Sequence, residues 1–205
     1  MREKEPSATV LLIRHGKTDF PLDRIYCDER EDPALNAEGE AQAQSTATLL
    51  KDVKIDALYC SPALRTQRTA EIVAAGRNLE FNKREELRER RFGVWEGLYF
   101  HEIAEQYPEE HLSWKKDNAG FKPEGGESIY DLWNRMEPVF NEIVTQYKGA
   151  TVAVVTHVGP IRTAAAQAIE LPIPNFRRLT IDYASVTQID YGKTQNNMVF
   201  LNRIA

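Results

Sequence analysis

The chain has 205 residues and is poor in cysteine, with Cys27 and Cys60 as the only two. Neither belongs to a CxxC pair or stands beside a histidine at metal-ligand spacing, so the sequence supports neither a disulfide framework nor a structural zinc site. Long apolar runs are also missing. The run at residues 10–13 is far shorter than the ~20 residues of a membrane span or the ~7 of a signal-peptide core. We therefore expect a cytoplasmic protein without a membrane partner.

An excess of positive charge is absent as well. The 26 lysines and arginines are outnumbered by 31 aspartates and glutamates, which gives a formal net charge of −5. This charge repels polyanions and argues against nucleic acid as a partner, so any bound anion needs a local basic pocket. The length and the ordinary apolar share of 42% predict a single domain over residues 1–205.

Short apolar runs alternate with segments of helical pattern. Buried strands are predicted at residues 9–14, 55–60 and 151–156, and edge-type strands at 185–189 and 198–202. Helices are predicted from a cap at Asn36 to about 51, from a cap at Ser61 with Pro62 as the first residue, over 128–147, and from 160 to 169. This alternation predicts a three-layer α/β/α sandwich with a mostly parallel sheet.

Three of the predicted strands end next to basic residues. The first ends at Arg14 and His15, the second shortly before Arg65, and the third at His157. Ligands of such folds bind outside the carboxyl ends of the strands, so we expect these four side chains at one rim of the sheet. Arginine binds phosphate oxygens with a fork of donors. A neutral imidazole, with its other nitrogen held by a backbone carbonyl, can accept a phosphoryl group, which makes His15 the candidate nucleophile. His157 adds a donor and, if protonated, a positive charge.

The motifs around these residues carry a family resemblance. LLIRHGKT, SPALRTQRTA and VVTHVGPIR resemble, in order, three elements of the histidine phosphatase superfamily, also called phosphoglycerate mutase-like. The resemblance implies a phosphorylated His15, a phosphate pocket of Arg14, Arg65 and His157, and Glu89 as proton donor and acceptor, with a cap region at about 92–127. Its implied substrate contacts are Arg14, Gly16, Thr18, Tyr26, Cys27, Arg65, His157 and Val158.

The chain departs from the family pattern close to the expected substrate. Lys17 stands where the family often has glutamate, Pro21 where it has asparagine, and Val158 where glycine is common; Tyr26 and Cys27 replace a frequent Gln-Gly pair. These departures leave the leaving group open. Sugar phosphates, phosphoserine, α-ribazole phosphate and fructose 2,6-bisphosphate are all substrates within the phosphatase branch, which the stretch 99–127 resembles through its Gly-Gly-Glu-Ser turn.

Several alternatives stay open. Phosphoryl transfer to an organic acceptor, as in the mutases, and a non-catalytic phosphate-binding module both fit the motifs, whereas a metal hydrolase lacks HExxH-type spacing. Glu85 or Glu86 could replace Glu89 as the proton carrier. We expect Trp95, Trp114 and Trp133 to pack the cap, and His101 and His111 to have no chemical role. A small phosphorylated metabolite is the expected partner, a homodimer is possible, and no cofactor or metal is expected.

Overall fold

The computed structural model describes residues 7–26, 30–79 and 81–205. Within these ranges, no helix is both long and apolar enough to cross a membrane. The strands there are β1 (Ala8–Arg14), β2 (Ala57–Cys60), β3 (Phe81–Lys83), β4 (Thr151–Thr156), β5 (Val186–Tyr191) and β6 (Asn197–Arg203). The helices are α1 (Ala37–Leu49), α2 (Leu64–Ala74), α3 (Phe100–Gln106), α4 (Pro108–Lys116), α5 (Ile129–Gln146) and α6 (Val158–Ala168). Short 3₁₀ helices span Glu85–Leu87, Gly93–Trp95 and Ile173–Arg178.

The strands form one mixed sheet in the order β3-β2-β4-β1-β5-β6. The pairs β2–β3, β2–β4 and β1–β4 are parallel, whereas β5 and β6 add antiparallel pairs. The predicted α/β fold with a mostly parallel sheet is therefore confirmed. The expectation that both tail strands lie at an edge was wrong for β5, which pairs with β1 and β6. Its polar Asp190 accepts hydrogen bonds from Thr9 and Gln188 (both 3.0 Å) within the sheet.

Apolar side chains cover both faces of the sheet. Along β1, Val10 and Leu12 pack in the core beneath α5 and α6, while Leu11 and Ile13 pack beneath α1 and α2. Successive strand residues point to opposite faces, so a strand buried on both faces needs an uninterrupted apolar run. This explains why β1 and β4 were recognisable from the sequence.

The starts of α1 and α5 agree with the sequence, α6 begins two residues before the predicted position 160, and the start of α2 differs. Asn36 caps α1 by accepting a hydrogen bond from the Gly39 amide (2.8 Å), and Ser128 caps α5. The predicted cap of α2 at Ser61, with Pro62 as the first residue, was wrong. This helix begins at Leu64, whose amide donates to the Asp32 carboxylate from a distant loop (3.0 and 3.1 Å). The hydrogen-bond acceptor at the start of α2 is therefore Asp32, a remote residue, and not the predicted Ser61.

The segment containing α3 and α4 has its own small apolar cluster. Its buried members are Ile25, Trp95 and Ile103, and the Trp95 ring stacks on Phe121 with centroids 5.0 Å apart. Trp114 joins this cluster, as predicted. The prediction for Trp133 was wrong, because α5 directs this residue toward Phe140 at the main core (5.9 Å between centroids).

Candidate active site

Arg14, His15, Arg65 and His157 lie together at the carboxyl-end rim of the sheet. The rings of His15 and His157 have centroids 5.3 Å apart. Arg65, which is 1% exposed, lies between them: its Nε donates to His15 Nε2 (3.3 Å) and its Nη2 to His157 Nδ1 (2.9 Å). The structure therefore brings together the four side chains that the sequence predicted at one rim.

His15 is held as a neutral imidazole. Its Nδ1 lies 2.7 Å from the Gly16 carbonyl oxygen, and since a carbonyl only accepts, Nδ1 carries the proton. The lone pair of Nε2 then faces Arg65. Burial lowers the pKa of His15 well below its usual value, and the charges of Arg65 and Arg14 lower it further. In this arrangement Nε2 is thus the unprotonated nitrogen of His15.

His157 supports Arg65 from behind. A guanidinium only donates, so Nδ1 of His157 accepts from Arg65 and its Nε2 donates to the Ser61 hydroxyl (2.8 Å). Burial lowers the pKa of His157 well below its usual value, with the charge of Arg65 as the next cause. The protonated, positively charged form that the sequence allowed is therefore absent from this arrangement.

Each arginine of the rim has an aromatic ring against its guanidinium. Arg14 Cζ lies 3.8 Å from the centroid of the Tyr183 ring, and Arg65 Cζ lies 4.7 Å from that of Tyr26. Arg14 also donates from Nη1 to the Ile181 carbonyl oxygen (2.7 Å), whereas its buried Nε has no partner among the described residues. These contacts fix two cations in place while leaving a donor unused.

Glu89 is a buried carboxylate at the start of α6. Its Oε1 accepts from the Arg90 amide (2.8 Å) and its Oε2 from the Gly159 amide (3.1 Å), in the first turn of that helix. Backbone donors and a helix N-terminus both stabilise a negative charge. A Cβ at position 159 would overlap Glu89 Oε1, so any larger residue there would displace the end of the Glu89 side chain.

Glu85 and Glu86, the two alternatives to Glu89, lie away from the four rim side chains. Glu85 forms an ion pair with Arg88 (2.6 Å), and Glu86 forms one with Arg84 (3.3 Å). Neither lines the cavity described below. The structure thus favours Glu89 among the three candidate carboxylates by position.

These side chains surround a cavity of about 170 Å³, called here the rim cavity. Its polar lining consists of Arg14, His15, Arg24, Tyr26, Arg65, Glu89 and Tyr183. Its apolar wall includes Ile25, Phe92, Phe100 and Val158. A cavity with cations, a neutral imidazole and a carboxylate on one wall, and apolar groups on another, suits a small organic anion.

Three of the predicted substrate contacts, Gly16, Thr18 and His157, do not line the rim cavity. The Gly16 amide donates to Thr69 Oγ1 (3.1 Å), and Thr18 Oγ1 lies 3.5 Å from the Tyr26 hydroxyl, so both residues support the rim cavity without lining it. His157 lies behind Arg65 in the same way. The prediction for Cys27 concerns a residue outside the described ranges.

Three residues near the site had no recognised signal in the sequence. Ser61 was interpreted as a helix cap, although it accepts the proton of His157. Tyr183 lies in an irregular segment before β5, and Asp32, which contacts Arg65 at 3.5 Å, lies in a charged loop. Among the described residues, no three His, Cys, Asp or Glu side chains form a group that could hold a metal ion.

Comparison with known proteins places these observations in a family. The model of the histidine phosphatase superfamily (branch 1) matches residues 10–204. Phosphoserine phosphatase 1 of Hydrogenobacter thermophilus is 30% identical over 194 residues, which cover 94% of this chain and 91% of that protein. The adenosylcobalamin/alpha-ribazole phosphatase of Escherichia coli is 29% identical over 191 residues, covering 93% and 94%. The structure of a mycobacterial glucosyl-3-phosphoglycerate phosphatase has a TM-score of 0.84 at 27% identity, covering 96% and 99%.

The chain therefore belongs to the histidine phosphatase superfamily, and the resemblance of its three motifs is confirmed. The named relatives are phosphatases, which supports phosphatase activity for this chain. Their names differ in substrate, so the family alone does not specify the leaving group.

Proposed function

We propose that this protein is a metal-independent phosphatase that hydrolyses a small phosphomonoester through a phosphohistidine at His15. The observation that carries the proposal is the state of His15: its Nδ1 proton is bound to the Gly16 carbonyl, and its Nε2 lone pair faces Arg65 in the rim cavity. A neutral imidazole next to fixed cations is suited to attack the phosphorus of a bound anion.

In the first step, His15 Nε2 forms a bond to phosphorus while the bond from phosphorus to the ester oxygen breaks. Arg14 and Arg65 stabilise the charge on the phosphoryl oxygens. Glu89 delivers a proton to the departing oxygen, which leaves as an alcohol. This proton can enter with the substrate. The second pKa of a phosphomonoester is about 6, so a fraction of the substrate carries the proton at neutral pH.

In the second step, the Glu89 carboxylate accepts a proton from water. The water oxygen bonds to phosphorus, the bond from phosphorus to Nε2 breaks, and its electron pair returns to the imidazole. Phosphate leaves and His15 is neutral again. The amides of Arg90 and Gly159 support this step, because they hold the Glu89 carboxyl group in place.

The size and lining of the rim cavity favour a small substrate. Its volume of about 170 Å³ holds a phosphate group with a short organic portion beside Phe92 and Val158. Relatives named for phosphoserine and α-ribazole show that substrates of different shape occur in proteins similar to this one. A phosphorylated metabolite is therefore the proposed substrate class.

Rapid-quench labelling tests the proposal. The protein is mixed with a ³²P-labelled phosphomonoester in the presence of a chelator, and the expected result is an acid-labile, base-stable label that turns over to free phosphate. His15→Ala should abolish both labelling and turnover, while His101→Ala, on the exposed surface of α3, should keep them. Turnover by His15→Ala, or loss of wild-type turnover in the presence of the chelator, would overturn the proposal. Transfer of the label to an added alcohol in preference to water would indicate a mutase.

A further inference from the structure

A second cavity adjoins the rim cavity on the side of α4 and the 3₁₀ helix Ile173–Arg178. It has a volume of about 160 Å³ and is called here the cap cavity. The two cavities share wall residues, among them Glu89, Phe92 and Val158. Any group attached to the phosphate oxygen that Glu89 protonates would therefore extend toward the cap cavity.

The walls of the cap cavity are largely aromatic. Phe92, Trp95, Trp114 and Phe176 contribute rings, and Phe100 is shared with the rim cavity. Such walls bind an apolar or planar framework, because they offer a large contact area that is poorly hydrated.

The charged groups of the cap cavity are unbalanced. Arg90, Arg162 and Arg177 line it, whereas Glu89 is its only acidic lining residue among those described. None of the three arginines forms an ion pair with a described carboxylate. In contrast, the neighbouring Arg135 pairs with Glu127 at 2.9 Å.

The hydrogen bonds of these arginines go to backbone carbonyls. Arg90 donates to the carbonyl oxygens of Glu127 (2.6 Å) and Phe121 (2.8 Å), and Arg162 donates from Nε to that of Leu179 (2.7 Å). These bonds orient the guanidinium groups without forming an ion pair, since a carbonyl carries no net charge.

The arginines also repel one another. Burial lowers the pKa of Arg90 to about 10; the charges of Glu89 and Glu127 oppose this effect, and the charge of Arg177 adds to it. Burial likewise lowers the pKa of Arg162, with the charges of Arg177 and Arg14 as further causes. A bound anion would relieve this repulsion, which is the ordinary reason for grouping cations around a cavity.

Arg177 occupies the entrance. It is solvent-exposed, and its Cζ lies 5.1 Å from the centroid of the Trp114 ring, which holds the guanidinium against the cavity mouth. Arg162 lies deeper and is half-buried on α6. Both residues line the cap cavity and can contact an anionic group there, while Arg90 is committed to its two carbonyls.

We propose that the substrate is a phosphomonoester whose apolar framework carries a second anionic group, bound in the cap cavity by Arg162 and Arg177. The inference rests on the proposed function, because the phosphate to be hydrolysed occupies the rim cavity. It names Arg162 and Arg177 as the residues that select among substrates of the His15 reaction.

The test compares matched aryl phosphates. 4-Carboxyphenyl phosphate and benzene-1,4-diyl bisphosphate carry a second anion, and 4-carbamoylphenyl phosphate is a neutral analogue of nearly the same shape. We expect the wild-type protein to have a higher kcat/KM for at least one of the two substrates with a second anionic group than for the amide. The expected ratio is about tenfold to a hundredfold, which is the size of the contribution of hydrogen bonds to charged groups. The better of the two identifies the second group as carboxylate or phosphate.

Variants then locate the selectivity. Arg177→Met and Arg162→Met should each bring the ratio of kcat/KM values close to one while hydrolysis of the amide continues, and Arg177→Lys should restore part of the preference. Arg178→Met, at the exposed neighbouring position, is the matched control and should keep the wild-type ratio.

The outcomes separate the two proposals. Hydrolysis of all three compounds through His15 with equal kcat/KM values would overturn the anion site and leave the phosphatase function intact. A preference that survives in both methionine variants would also overturn it. The absence of hydrolysis and of a labelled His15 with every compound would overturn both. Arg177 is exposed, so its variant remains informative even if Arg162→Met does not fold.

Discussion

The rim cavity and the cap cavity share a wall but are built differently. At the rim, Arg65 is bonded to both His15 and His157, and His157 is bonded in turn to Ser61, so each polar group fixes the next. In the cap cavity, the arginines are bonded to carbonyls or stacked on rings, and no side-chain hydrogen bond joins Arg162 to Arg177 among the described residues.

If both proposals hold, this difference separates the chemical step from substrate choice. A buried, mutually bonded network holds its geometry for any phosphate, because moving one member disrupts the others. Side chains that are not bonded to one another can be replaced singly. We therefore expect changes at the rim to affect every substrate, and changes in the cap cavity to affect only some.

The largest effect is expected for Arg65→Met. Methionine fills much of the same space, but the change removes the donors to both histidines and one cation of the proposed phosphate site. Loss of a transition-state donor costs about 10²–10³-fold, so kcat/KM should fall by at least about 10³-fold for every phosphomonoester tested. The positive charge of Arg65 also lowers the pKa of His15, so the acid limb of the remaining pH–rate profile should move to higher pH.

Arg68→Met is the matched control for this prediction. Arg68 lies on the same helix, α2, but it is exposed and forms an ion pair with Glu40. The control should retain wild-type kcat/KM. A loss in Arg65→Met confined to a single substrate would break the proposed distinction between the two cavities.

Gly159→Ala should reduce activity without reducing stability. The added Cβ overlaps the Glu89 carboxyl group, whose end must move and lose its bond to the residue 159 amide. Alanine in a helix is favoured over glycine by about 0.5–1 kcal/mol, so the free energy of unfolding should stay equal or rise. General acid catalysis contributes about 10²–10⁴-fold, and we expect a fall of about 10²-fold in kcat for alkyl phosphates.

Varying the leaving group distinguishes loss of the general acid from a general distortion of the active site. 4-Nitrophenyl phosphate releases an oxygen that needs little protonation, so its first step should be much less affected in Gly159→Ala and in Glu89→Gln. Single-turnover measurements with both substrates check this. Equal losses for alkyl and nitrophenyl esters would contradict the role of Glu89 as the acid.

The histidines of the rim should make stability depend on pH. Their pKa values are lowered well below 6.5 in the folded protein, so between about pH 6.5 and the folded pKa the unfolded chain binds protons that the folded chain does not. Stability therefore falls as the pH is lowered. From pH 7.5 to 5.5 the expected loss is about 1.4 kcal/mol for each histidine, measured by urea unfolding.

Variants assign this pH dependence to one region. Gln at position 157 can accept from Arg65 and donate to Ser61 as the imidazole does, so His157→Gln should fold and lose about half of the difference between pH 7.5 and 5.5. His101→Gln, at an exposed position on α3 away from the rim, is the matched control and should keep the full difference. An unchanged difference in His157→Gln would show that the rim histidine is not neutral in the folded protein.

The two regions also differ in how far the sequence specifies them. Residues 9–14 and 151–156 were recognisable as strands because both faces of β1 and β4 are buried, which demands an apolar run. The sequence also predicted the rim, since the carboxyl ends of parallel strands meet at one edge. The start of α2 was missed because Asp32, which bonds to Leu64, comes from a remote loop.

The cap cavity had no comparable signal. Its lining comes from Phe92, Trp114, Arg162 and Arg177, which lie in different elements and follow no common period. Trp133 was assigned to the cap for the same reason: its residue type suggests packing but not the face of α5 on which it lies. Contacts between irregular segments depend on the tertiary fold, so local patterns predict them poorly.

The smallest effect is expected for Tyr183, a rim residue without a sequence signal. Its variants test whether a rim residue affects all substrates equally. Its ring lies 3.8 Å from Arg14 Cζ, and a contact of this type contributes about 0.5–2 kcal/mol. Tyr183→Leu should therefore lower kcat/KM by roughly two- to thirtyfold. Tyr183→Phe keeps the ring and should stay near the wild-type value. The loss should be the same for the carboxylate and amide aryl phosphates, since Tyr183 supports the shared phosphate site; a loss limited to one of them would place this ring in substrate selection.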